Sequence, residues 1–177
     1  MDLSKLEHLF IEAQKLCGHH EYVVIGSLSA LAILPAGRIP ARMLMSIDVD
    51  CYTRRDPARI FELQHDLGEG SAFEAAHGYF LDPVSPKLPT LPAQWEFRLV
   101  KVPFTSGVTV FFLDPNDAAI SKYARSETRD REWIQAGIAA GLLSLPIIES
   151  RLRDTEFIDD EERERARSAF AEDKSRL

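Results

Sequence analysis

Read for the spacing of its hydrophobic and polar positions, the chain separates into short strands and amphipathic helices. Residues 43–52 form the clearest stretch of period two. As a strand it points Ile47, Val49 and Cys51 to one face and Ser46, Asp48 and Asp50 to the other. Before it, Leu3, Leu6, Phe10, Ala13, Leu16 and Cys17 keep a helical period over 3–17, and Gly18 supplies a stop. Tyr22–Ile25 reads as a short buried strand that runs into Gly26-Ser27 and a helical stretch, 28–34. Asp56-Pro57 opens a helix that ends at Gly68, and a second helical piece spans 71–77. Pro83, Pro86, Pro89 and Pro92 make 81–93 irregular, the kind of segment that often covers a site. Residues 95–102 and 107–113 read as the strands of a hairpin. Asp114-Pro115 then starts a helix carrying Lys122 and Tyr123, and further helices are expected over 128–140 and 146–153. The polar tract 159–174, rich in Glu and Arg, is expected either to pack lightly or to project.

Strands interleaved with helices predict an α/β (α+β) fold. The 177 residues suit one domain over 1–145 with a helical extension over 146–177. The net charge of −7 provides no overall basic field to attract nucleic acid, though a local basic patch stays open. Cys17 and Cys51 are the only cysteines, which argues against a disulfide scaffold and a cysteine-rich zinc site. No apolar run suggests a signal peptide or a membrane span, so the expectation is a cytoplasmic protein with no membrane partner.

Asp48 and Asp50 set the chemistry. On one face of a strand their Cα atoms stand roughly 7 Å apart. Like charges that close repel, and strands disfavour Asp. A divalent cation between them would resolve the conflict, and carboxylate oxygens suit Mg2+. The other reading is an exposed edge with both acids in water. Gly26-Ser27, between a strand and a helix, is an arrangement that favours phosphate: glycine permits close approach, and free N–H groups at a helix start attract anions. Ser27 could equally be a plain helix cap. Arg38 and Arg42, just before the acidic strand, are either phosphate contacts or surface charges. The pair His19-His20 in a turn could bind a metal, but an exposed turn is a poor place for it.

Taken in order, strand, Gly26-Ser27, helix and Asp48-x-Asp50 resemble the nucleotidyltransferase fold of the DNA polymerase β type, which implies a mixed sheet flanked by helices with a helical C-terminal part. The segment from Asp114 through Lys122 and Arg125 to Asp130, and the stretch Leu91–Leu99, look like those of the small bacterial AbiEii-like toxin and DUF6036-like nucleotidyltransferases. The resemblance spans roughly 20–145. It implies a nucleoside triphosphate gripped by Gly26 and Ser27, with Ser46, Asp48 and Asp50 on the metal-binding strand. Lys122 would contact phosphate, with Asp130 soon after it, and Arg42 joins the nucleotide-binding set. A third carboxylate is expected. Glu96, the only acid inside the next predicted strand, is the first choice, and Asp82 and Asp130 are alternatives. The implied reaction is Mg2+-dependent transfer of a nucleotidyl group to a hydroxyl on an RNA end, a protein or a small molecule. A toxin–antitoxin role with a cognate antitoxin partner is part of that implication. Without a third acid near Asp48 and Asp50, the alternative is an inactive nucleotide-binding or partner protein on the same fold.

Overall fold

The computed structural model describes residues 1–176, the side chain of Ala36 apart. Its centre is a five-stranded mixed sheet in the order β3-β2-β1-β5-β4. The strands are β1 (Glu21–Val24), β2 (Asp48–Thr53), β3 (Phe80–Pro83), β4 (Val100–Pro103) and β5 (Thr109–Phe112). β1 runs antiparallel to β2 and parallel to β5; β2 and β3 are parallel, and β4 and β5 are antiparallel. The helices are α1 (Leu3–Cys17), α2 (Gln64–Leu67), α3 (Ala72–His77), α4 (Pro115–Arg125), α5 (Thr128–Ala139), α6 (Leu145–Arg153) and α7 (Asp160–Ser175). The expected mixed sheet flanked by helices is therefore present.

Helix α1 follows its pattern closely. The Asp2 carboxylate accepts from the Lys5 N–H, Gly18 closes the helix at φ 74°, and Leu6, Leu9, Phe10, Ala13 and Cys17 are buried. Phe10 stacks on Tyr22 of β1 at 4.4 Å between ring centroids. Apolar burial of this kind, on the order of 1.5–3 kcal/mol per large side chain, is what holds the helix to the sheet.

Several expected elements differ. The stretch Gly26–Ala32 winds as a 3-10 helix, as do Ala41–Leu44 and Pro57–Leu63. Strand β2 starts only at Asp48, and Ile47 is half exposed. Phe80–Pro83 is a strand, not irregular chain: Leu81 and Pro83 turn inward while Phe80 and Asp82 face outward. As the sheet's outer strand it tolerates a terminal proline. Trp95–Arg98 is a 3-10 turn instead of a strand. Gln94 enters the left-handed region (φ 61°), Phe97 is thrown into solvent, and Arg98 turns in to Asp117.

The helical C-terminal part is docked, not projecting. In α7, Ala166, Ala169, Phe170 and Asp173 are buried. Phe170 meets Tyr123 of α4 edge-on, and the Tyr123 hydroxyl donates to Asp173 at 3.0 Å. Arg131 and Gln135 of α5 donate to the same carboxylate. At the start of α4, Asp117 is fully buried and accepts from Arg98 and from Arg151 of α6. Burial raises its carboxyl pKa, and the two arginines work against that rise. Asp114 and Asp117 thus start α4 and tie α6 to it. No helix of the described residues is long and apolar enough to cross a membrane.

Candidate active site

The site lies where β1 ends and β2 begins, which their antiparallel pairing makes neighbours. Val24 pairs with Cys51, and the Ile25 N–H donates to the Asp50 carbonyl at 3.0 Å. Gly26 follows at φ +70°, and a Cβ there would strike the Asp50 carboxylate. Only glycine lets the turn pass this close to the acid.

Asp82 is the third acid. In the parallel pairing of β2 with β3, Asp50 stands directly opposite Asp82. Register partners share a face, so Asp48, Asp50 and Asp82 converge. Their carboxylates can each offer an oxygen within 4.8 Å of the others. The crowding shows in their acidity. The Asp50 carboxyl is pushed up to about 7, first by burial and then by Asp48 and Asp82, with Lys122 and Arg125 opposing. Asp82 is raised too, by burial and by Asp48. The Ser46 hydroxyl donates to Asp48 at 2.7 Å, so it orients that carboxylate. Three oxygen donors with an unbalanced negative charge fit a hard divalent cation such as Mg2+. Glu96 is outside this group: the 3-10 turn puts it in solvent, where its charge bears on Tyr52. Asp130 is outside it as well.

Across the turn stands Lys122, whose side chain is only 5% exposed. Its ammonium donates to the Ser27 hydroxyl at 3.0 Å and to Asp130 at 3.1 Å. Burial lowers the Lys122 pKa, and Asp130 acts against that. For Asp130 burial acts upward, but two bonds from Arg125 (2.7 and 2.6 Å) and the Lys122 ammonium outweigh it and hold the carboxyl below its usual range. Asp130 is thus a fully buried counter-charge that orients Lys122 and Arg125.

Two cavities meet at Ser27 and Lys122. The larger, about 350 Å³, reaches Asp50 and has Ser121 and Arg125 of α4 on one wall. Leu88, Pro89 and Thr90 of the proline-rich segment cover it, and Glu162 and Arg165 of α7 complete the wall. The Thr90 hydroxyl donates to Glu162 at 2.9 Å, which ties the cover to α7. The smaller cavity, about 240 Å³, reaches Asp48 and Ser46 and is edged by Arg42, Arg129 and Trp133. Arg42 pairs with Glu132 at this rim.

Of the residues expected from the sequence, Gly26, Ser27, Ser46, Asp48, Asp50, Lys122 and Asp130 come together here, Arg42 lies at the edge, and Glu96 does not join them. Asp82 carries a faint signal in the sequence, the alternation of Phe80 to Pro83. Arg129, Glu162, Arg165 and Trp133 carry none, because distant elements bring them in.

A family model for nucleotidyltransferases of unknown function (DUF6036) matches residues 4–177. The chain belongs to this family. No curated protein and no solved structure matches it. Membership makes nucleotidyl transfer the general chemistry, with a nucleotide as substrate. The match runs through α7, in keeping with the contribution of Glu162 and Arg165 to the larger cavity.

Proposed function

We propose that the protein is an active Mg2+-dependent nucleotidyltransferase that moves a nucleoside monophosphate from a triphosphate to an acceptor hydroxyl. The observation that carries this reading is Asp82 opposite Asp50, which completes a three-carboxylate group with Asp48. A third carboxylate within shared-metal reach of Asp48 and Asp50 favours the enzyme over the inactive protein on the same fold. In this reading Asp48, Asp50 and Asp82 hold the cation. Bound there, it neutralises charge that develops on the reacting phosphate oxygens. Ser27 and Lys122 grip the phosphates, and the Gly26 turn keeps the backbone close. The smaller cavity, with Arg42, Arg129 and Lys122 against Asp48, suits the polyphosphate end. The larger one, with Leu88, Pro89 and Leu113 in its walls, suits the nucleoside.

The order of Gly-Ser turn, Asp-x-Asp strand and third acid supports a polymerase β-type arrangement. The Asp114–Asp130 segment, which brings Lys122 to the site, and the Leu91–Leu99 stretch support kinship with AbiEii-like toxins, and with it a role beside a cognate antitoxin. The acceptor is then an RNA end, a protein or a small molecule.

A label-transfer assay tests this. The protein is incubated with each α-labelled nucleoside triphosphate, Mg2+ or Mn2+, total RNA and cell lysate. Label is expected on one acceptor class, with loss of at least ~100-fold in Asp82→Asn and in Asp50→Asn, because removing a metal ligand forfeits several kcal/mol of transition-state stabilisation. Transfer undiminished in both variants would sink the reading. Nucleotide binding without transfer would return the protein to an inactive binding or partner role.

A further inference from the structure

The two cavities meet at Ser27 and Lys122, and one buried side chain stands behind both. Trp133 of α5 is 2% exposed. Its indole N–H lies between two carbonyls, Ser27 at 3.1 Å and Met43 at 3.3 Å. Its ring face lies 5.0 Å from the Lys122 ammonium. The side chain therefore touches three separate site segments: the Gly-Ser turn, the short helix that leads into β2, and the cationic face of α4.

Filling a core does not require this arrangement. A buried tryptophan needs one acceptor for its N–H. Here the N–H is shared between the carbonyls of two separate 3-10 helices, Gly26–Ala32 and Ala41–Leu44. Lys122, stripped of water, is offered three replacements: the Asp130 carboxylate, the Ser27 hydroxyl and the indole face. A cation over an indole is attracted more strongly when both are desolvated. The peptide plane after Ser27 is rigid, so a carbonyl held toward Trp133 turns the Leu28 N–H to the opposite side.

We propose that Trp133 is a positioning residue: it fixes Ser27 and Lys122 in the mutual geometry that grips a phosphate group. The proposal rests on the nucleotide reading above and adds the residue that sets the strength of that grip.

The test uses the full chain. Trp133→Phe keeps an aromatic ring and removes the N–H; Trp133→Leu removes the ring face as well. Three quantities are compared with wild type: hydrogen exchange of the Gly26–Leu28 amides without nucleotide, affinity for a non-hydrolysable nucleoside triphosphate with Mg2+, and the thermal midpoint. Trp133→Phe is expected to quicken exchange in the turn about tenfold and weaken nucleotide binding about tenfold, as for loss of one well-placed hydrogen bond. Trp133→Leu is expected to weaken binding further. A lower thermal midpoint with unchanged exchange and unchanged affinity would make Trp133 packing only and overturn the proposal. Should the wild type bind no nucleotide, the nucleotide reading fails by itself, and exchange in the turn still decides whether Trp133 positions it. If the variants do not fold, Trp95→Phe leaves Trp133 as the sole tryptophan. Its emission is then expected to change on nucleotide addition, and an unchanged spectrum at saturating nucleotide overturns the proposal.

Discussion

Gly26 shows how little freedom the site leaves to a single residue. Its φ of +70° and the Asp50 carboxylate beside it both exclude a side chain. Gly26→Ala is expected to cost about 1–2 kcal/mol from the left-handed backbone alone. It also displaces Asp50, so Mg2+-dependent nucleotide binding should be lost while the fold persists. Urea unfolding and calorimetric titration check the two parts separately. Asp50 itself gives a pH signature. Its carboxyl titrates near 7 when folded, above the ordinary 3.8, chiefly through burial. The folded state therefore holds this proton more tightly than the unfolded state does. The group's contribution is fully present below the unfolded value, declines as the pH climbs, and is lost above about 7. In metal-free buffer Asp50→Asn should raise stability at pH 8 by on the order of 2–4 kcal/mol and change little near pH 4, since each tenfold difference in proton affinity between the folded and unfolded chain is worth about 1.4 kcal/mol. Denaturant midpoints of the two proteins at both pH values decide it. Equal midpoints at pH 8 would mean that Asp50 carries no such penalty.

Among the elements, β3 and α7 matter more than their sequences suggest. β3 is four residues long, yet its register delivers Asp82 opposite Asp50. α7 is one of the most polar stretches of the chain, yet Phe170 and Asp173 seat it on Tyr123. Phe170→Ala should destabilise the protein by about 3 kcal/mol, the usual cost of emptying an aromatic core position, and a thermal or denaturant melt measures it. These two elements also mark the limit of what the sequence shows. The parity of Asp48 and Asp50 is local, so residues 46–51 suffice to place both acids on one face. The period of α1 is local in the same way. β3 is hidden because a short strand ending in Pro83 looks like the first part of a proline-rich loop. Glu96 is favoured by the pattern because Trp95–Val102 alternates like a strand, whereas the left-handed Gln94 and the pull of Asp117 on Arg98 wind its first part into a turn. The burial of Lys122 is not legible either. Its partner Ser27 lies 95 positions earlier, and no local period reports such a contact.

At the scale of the whole molecule, the larger cavity is covered by a segment held at its end by the Pro92–Thr155 bridge and the Ala93 N–H on the Asp154 carbonyl, and along its length by one side-chain tie. Thr90 donates to Glu162 across 72 positions of sequence, and the same glutamate accepts from the Ile158 N–H. Thr90→Val should leave the fold and the backbone ties at Pro92 and Ala93 intact and loosen the segment over the cavity, with a several-fold rise in KM for the nucleotide and a smaller change in kcat. Faster hydrogen exchange over 84–90 in the variant would confirm the release; an unchanged KM would mean the tie does not govern access.

The distance along the chain between Ser27 and its partners Lys122 and Trp133 has a consequence for synthesis. A ribosome delivers Gly26, Ser27 and all three aspartates long before it delivers α4 and α5. The growing chain therefore carries the acids without the cation and the indole that complete the grip, and β1 has yet to receive β5 beside it. Ser27 therefore meets Lys122 and Trp133 only after residues through 133 have emerged, and the wall that Glu162 and Arg165 add to the larger cavity forms later still.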